Sequence, residues 1–235
     1  MNFEQHYRRE TAAFADLVKD LDPAASVPTT PDWPVRVLVA HIGQAPRWAA
    51  EIVRTRSELP IPDPRDADPG PRTGWADWLA AGLEELVEAV NDNPSATVWT
   101  MIGPRPASFW VRRFTADLVV HRADAAFAAG VPYEVEPELA AEVLSEVFEL
   151  LVAFKSLPGT GETLLWRPDD VDEPWLVRRT PDGVSVERSG DAADVVVSGP
   201  VRDLMLVLGR RLSPDAVKVT GDQDVLTSWL TDMPS

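Results

Sequence analysis

The 235-residue chain has no cysteine. That removes disulfides, thiolate metal ligands and a protein-borne thiol nucleophile together. Any sulfur chemistry on this protein therefore needs an external thiol. Lysine occurs only at positions 19, 155 and 218, while Arg, Ala, Val, Pro and Asp abound; this is the bias of a high-GC genome and carries no mechanism. No apolar run is long enough to span a bilayer, and the N-terminal MNFEQHYRRE is polar and unlike a signal peptide. A cytoplasmic protein without a membrane partner is expected. Basic charge is also scarce. The net charge of −16 and pI near 4.5 argue against nucleic acid as a partner. The acidic residues are scattered, as on a solvated surface, and there are no internal repeats or low-complexity segments.

Apolar residues make up 45% of the chain, enough for a substantial core. Helical periodicity predicts a first helix from Phe3 to Leu21, stopped by Pro23. After a proline-rich connection at 22–33, a second helix is expected from Val35 to Arg56, with Pro34 at its start. Residues 57–73 read as a long loop. A third helix is expected from Gly74 to Asn91, then a connection at 92–108, then a fourth helix from Phe109 to Gly130. Four such helices predict a four-helix bundle with any site built inward from facing helices. A fifth helix follows Pro137, and Pro158-Gly159-Thr160-Gly161 breaks it. Short strands are then expected at Glu162–Arg167, Trp175–Thr180, Val184–Arg188 and Asp194–Ser198, with helices at Val201–Leu208 and Gly221–Leu230. The expected fold class is α+β: a helical bundle at 1–157 and a small α+β domain at 158–235.

The fourth helix carries an anomaly. Trp110, Phe114, Ala125 and Ala128 mark its apolar seam, and the two positions between them on that seam are Asp117 and His121. The second helix has the seam Leu38, His41, Ala45, Trp48 and Ile52, so His41 falls on a buried stripe too. Each residue alone has an ordinary explanation. Arg113, one turn before Asp117, can satisfy its carboxylate, and either histidine can bond a backbone carbonyl. Together, two histidines and a carboxylate also form a common ligand set for a divalent metal. The third histidine, His6, lies in the first turn of the first helix with no metal-like flanks.

Three stretches, Trp33–Val53 (WPVRVLVAHIGQAPRWAAEIV), Phe109–Gly130 (FWVRRFTADLVVHRADAAFAAG) and Val217–Leu230 (VKVTGDQDVLTSWL), resemble the actinobacterial mycothiol-dependent maleylpyruvate isomerase family. That family lies within the DinB-like group of metal-binding four-helix bundles and ends in a sterol-carrier-like module. The resemblance implies a divalent metal, usually zinc, on His41, Asp117 and His121, with mycothiol as the low-molecular-weight thiol. Asp117 departs from the family pattern, which usually has Glu there. The implied chemistry is activation of the thiol for addition to a small electrophile. A maleylpyruvate-type substrate would be isomerised by addition, bond rotation and elimination; another electrophile would receive the thiol, as in an S-transferase. Anionic partners would need cations, and Arg112, Arg113, Arg210 and Arg211 are the candidates, although surface or structural roles are commoner for each. Trp48 and Trp110 fit core better than pocket lining. The reading from another class is a non-catalytic protein that binds a metal or an apolar small molecule.

Overall fold

The computed structural model describes residues 1–188, 190 and 192–233. The chain divides into two compact units, Met1–Tyr133 and Glu134–Ser235.

The first unit begins with α1, Phe3–Val18, where the Asn2 side chain accepts a hydrogen bond from the Gln5 N–H. This helix stops a turn short of Leu21. The proline-rich connection is not all loop: β1 (Ser26–Val27) and β2 (Thr30–Pro34) pair as an antiparallel hairpin. Pro34 then caps α2, Val35–Thr55. The long connection that follows contains two short 3-10 turns, Pro64–Asp66 and Arg72–Gly74. Arg36 pins it by donating to the Gly70 carbonyl at 2.9 Å and pairing with Asp68. Helix α3 is Trp75–Asp92. Strands β3 (Thr97–Val98) and β4 (Arg105–Pro106) form a second small hairpin. Helix α4, Phe109–Ala129, ends at Gly130, whose φ of 66° is the left-handed conformation that suits glycine.

Contacts along the helices fix their directions. Thr115 donates to the Phe3 carbonyl and Arg122 to Glu10, so α1 and α4 run parallel. Arg47 reaches the Trp78 carbonyl and Arg54 the Glu85 carbonyl, so α2 and α3 run parallel. His41 meets Asp117 and Trp48 meets Trp110, so α2 and α4 are opposed. A parallel α2–α3 pair needs a crossover of the full helix length, which is what the long loop provides. The two helices also approach closely. A Cβ on Gly43 would lie 1.9 Å from the Trp78 ring, and one on Gly82 would lie 2.8 Å from the Gly43 carbonyl oxygen. Tyr7, Phe14, Leu38, Ile52, Trp75, Leu86 and Trp110 fill the core.

The second unit opens with α5, Pro137–Ala153, which packs against the elements that follow it. These are β5 (Thr163–Pro168), β6 (Trp175–Thr180), β7 (Gly183–Glu187), β8 (Val195–Gly199), α6 (Val201–Leu208), β9 (Lys218–Gly221) and α7 (Gln223–Asp232). They form one five-stranded sheet in the order β7-β6-β5-β8-β9. Only the β5–β8 pair is parallel. Phe148 of α5 packs on Trp166 and Trp175 of the sheet. The unit boundary therefore lies at Tyr133/Glu134 and not near residue 158. The fifth helix carries an apolar face like a bundle helix, but that face is spent on the sheet. The expected last helix also differs: Lys218–Gly221 pairs with β8, and Asp222 then caps α7 by accepting from the Asp224 N–H. No helix among the described residues is long and apolar enough to cross a membrane.

Candidate metal centre

Helix α4 sits centrally in its unit. Its buried residues include Val111, Phe114, Leu118, His121, Asp124 and Ala125, which point in several directions around its axis. Asp117 and His121 lie one turn apart on the side that meets α2. Across from them stands His41. One donor atom from each of these three residues can be chosen so that all lie within 4.8 Å of one another. Asp117 Oδ2 is 3.1 Å from His41 Nε2 and 4.0 Å from His121 Nε2. The other carboxylate oxygen, Oδ1, accepts a 2.8 Å hydrogen bond from Arg113. The two jobs of Asp117 are thus divided between its oxygens: one is held by its own helix, the other faces both imidazoles. The side chains are 26% exposed for His41, 14% for Asp117 and 11% for His121.

Electrostatics follow from this arrangement. Burial works to raise the Asp117 pKa, but the Arg113 guanidinium, the hydrogen bond with His41 and the two imidazoles outweigh it. The carboxyl is held well below the usual range and stays ionised. Burial also pushes the Tyr7 hydroxyl up, reinforced by the charge on Asp117, so that phenol stays protonated. Trp33, at the end of the β1–β2 hairpin, covers the imidazoles: its ring centroid is 5.1 Å from that of His41 and 5.9 Å from that of His121, nearly parallel to the latter.

The donor set fits a divalent ion. Ligands about 2.1 Å from a tetrahedral ion lie about 3.4 Å from each other. The carboxylate–imidazole separations of 3.1 and 4.0 Å bracket that value. Two nitrogens and one oxygen suit zinc and its borderline neighbours, and three protein ligands leave a position for a further ligand.

Of the remaining expected residues, Arg113 is placed at the centre through its bond to Asp117. Arg112 is half-buried next to it on α4. Arg210 and Arg211 belong to the second unit, at the end of α6; Arg210 adopts φ 60° and Arg211 donates to the Gly209 carbonyl. His6 is half-buried beside Arg9 on α1. Trp48 and Trp110 pack edge to face, with ring centroids 5.0 Å apart, in an aromatic cluster with Trp99 and Phe114. Sequence reasoning missed Asp124. It lies three residues after His121, and its Oδ2 is 2.7 Å from His121 Nδ1. The His-x-x-Asp spacing was the available signal, because i and i+3 are neighbours on a helix.

The fold and the cluster define a class: a helical bundle followed by a small sheet unit, with two imidazoles and a carboxylate on facing helices that could hold a metal ion. The comparisons narrow it. Residues 6–126 match the family described as mycothiol maleylpyruvate isomerase N-terminal domain, and residues 137–228 match the MDMPI C-terminal domain. The chain belongs to the mycothiol maleylpyruvate isomerase family. The two matches fall on either side of Tyr133/Glu134, in agreement with the compact units. The crystal structure of a mycothiol-dependent maleylpyruvate isomerase superposes with a TM-score of 0.67, covering 93% of this chain and 91% of that one at 16% identity. A histidine-to-alanine variant of a mycothiol-dependent maleylpyruvate isomerase gives 0.66 at 15% identity, with the same coverage. These likenesses establish the shared fold. No curated protein matches the sequence closely.

Proposed function

We propose that the chain binds a divalent metal, zinc by its donor chemistry, through His41, Asp117 and His121, and uses mycothiol to act on a small electrophile. The observation that carries this reading is the convergence of three donor atoms from two helices, with Asp117 Oδ2 turned toward both imidazoles. Bound there, the ion would supply a Lewis acid that favours thiolate over thiol near neutral pH.

The chain's own residues supply the rest. His41, Asp117 and His121 would hold the ion, and Arg113 keeps the Asp117 carboxylate oriented. Trp33 shields both imidazoles from water on one side. The absence of cysteine means the sulfur must arrive on a separate molecule. In this reading Arg112, Arg113, Arg210 and Arg211 are the candidate cations for anionic partners, and Arg113 also bonds the Asp117 carboxylate. The Asp at 117 is one methylene shorter than the usual Glu, but carboxylates of either length ligate zinc. The solved relatives are maleylpyruvate isomerases. That supports isomerisation of a cis double bond as the first activity to assay, with transfer of the thiol to an epoxide or halide as the next.

The test is metal analysis of protein purified without a histidine tag or chelator, followed by turnover of maleylpyruvate and an electrophile panel with and without mycothiol. The expected result is one ion per chain and thiol-dependent turnover that Asp117→Ala abolishes. A filled site with no thiol-dependent turnover on any electrophile would favour the binding-protein alternative. A site that stays empty after reconstitution would overturn the metal reading.

A further inference from the structure

We propose that Asp124 is a positioning residue for the metal centre, and that Thr29 on the β1–β2 hairpin holds it in place. The inference rests on the metal reading above and adds two residues to it. Asp124 is completely buried. A buried carboxylate is unfavourable unless donors meet it. Here His121 Nδ1 lies 2.7 Å from Oδ2, and the Thr29 hydroxyl donates to Oδ1 at 2.5 Å.

The first contact fixes a tautomer. An ionised carboxylate only accepts, so with Asp124 ionised the proposal puts the proton on Nδ1 of His121 and leaves Nε2 its lone pair. Nε2 is the atom that faces Asp117. The bond also holds the ring angle, since rotation about the Cβ–Cγ bond would break it. His41 is different: its only hydrogen bond among the described residues is the one from Nε2 to Asp117. Both rings lie against Trp33, but His121 has a hydrogen-bond partner apart from the ligand set, whereas His41 bonds only Asp117.

The second contact brings in the hairpin. Thr29 lies between the two hairpin strands, far from Asp124 in sequence. The same hairpin carries Trp33, whose ring lies against His121. The hairpin thus grips His121 twice, by the ring face and through Asp124.

Two measurements test this. In metal-stripped protein labelled at the imidazoles, nitrogen–carbon NMR correlations report each tautomer. The wild type should show His121 protonated at Nδ1, and Asp124→Ala should shift it toward the Nε2–H form. Zinc affinity, measured by competition with a chelator, should fall about 10–100-fold in Asp124→Asn. Thr29→Val, which keeps the side-chain shape and removes the donor, should lose a smaller factor of several-fold. Thermal melts of the metal-free variants report folding. If the Asp124 variants do not fold, Thr29→Val decides: affinity within twofold of wild type overturns the proposal. An Nδ1–H tautomer unchanged in a folded Asp124→Ala, or zinc affinity within twofold in Asp124→Asn, also overturns it and leaves the metal reading intact. A wild type that takes up no zinc defeats both.

Discussion

The two units treat buried polarity in different ways. In the first, buried polar groups meet in two hydrogen-bonded sets, His41–Asp117–Arg113 and His121–Asp124–Thr29, which face each other where Asp117 Oδ2 lies 4.0 Å from His121 Nε2. In the second, the interior around the sheet is built from Trp166, Trp175, Val177, Val195 and Val197. Its best-held carboxylates stand at turns. Glu162 accepts from the Thr160 N–H and hydroxyl, and Asp194 accepts from the Thr163 N–H and hydroxyl. Those bonds tie down backbone and leave no donor set. Convergent, mutually supporting polar groups are the costlier arrangement, and only the first unit brings a carboxylate and two imidazoles together on facing helices.

The comparison can be attacked first through the core. Trp175→Ala should destabilise the second unit by about 3–5 kcal/mol, as for other buried aromatics. Zinc affinity of the folded variant should match wild type, read by denaturant unfolding and chelator competition. A large loss of affinity would mean that the units do not divide the work as their interiors suggest. Metal removal comes next. An ion at a hundred times its Kd should stabilise the wild type by about 2.7 kcal/mol, and His121→Ala should gain almost nothing. In the metal-free protein, His121→Ala should itself cost about 1–3 kcal/mol, because Asp124 loses a buried donor. Equal stabilisation of both proteins by zinc would remove His121 from the site.

The smallest effect belongs to a turn of the second unit. Its own N–H, then the hydroxyl and N–H of Thr160, hold the exposed Glu162 carboxyl down from 4.5 to about 2. A folded-state pKa below the unfolded one contributes stability that is present above the unfolded value and lost as pH falls through the folded value. Glu162→Gln should therefore be less stable than wild type at pH 7, with the gap closing between pH 4.5 and about 2. A gap that persists at the acid end would show that the glutamine disturbs the turn by shape and not by charge.

Much of the centre was legible in the sequence for one reason. His41, Asp117 and His121 occupy positions that the 3.6-residue repeat assigns to apolar side chains, and the fold does turn them toward each other. Asp124 escaped because it falls off that seam; α4 is buried on more than one side, so a single stripe does not describe it. Thr29 escaped because the proline-rich connection gives no strand periodicity, and two-residue strands leave none to detect. The unit boundary escaped because an amphipathic helix does not announce whether helices or a sheet will cover it. The break between Gly130 and Pro137 was the better marker. Among the strands, β6 was read to the residue, since Trp175–Thr180 alternates in burial over its first four positions and ends in a tight turn.

The close approach of α2 and α3 bears on which sequences can keep this centre. Gly43 is two residues after His41, which on a helix is the opposite side of the axis. His41 looks toward α4, while Gly43 receives the Trp78 ring. The depth at which His41 enters the space between the helices is thus set partly from behind, by a position without a side chain. Any larger residue there must push α3 away or rotate α2, and either shift misaligns the imidazole. A saturation library along α2 would find position 43 as intolerant as position 41, although it is not one of the candidate ligands, and the two would drift together or not at all.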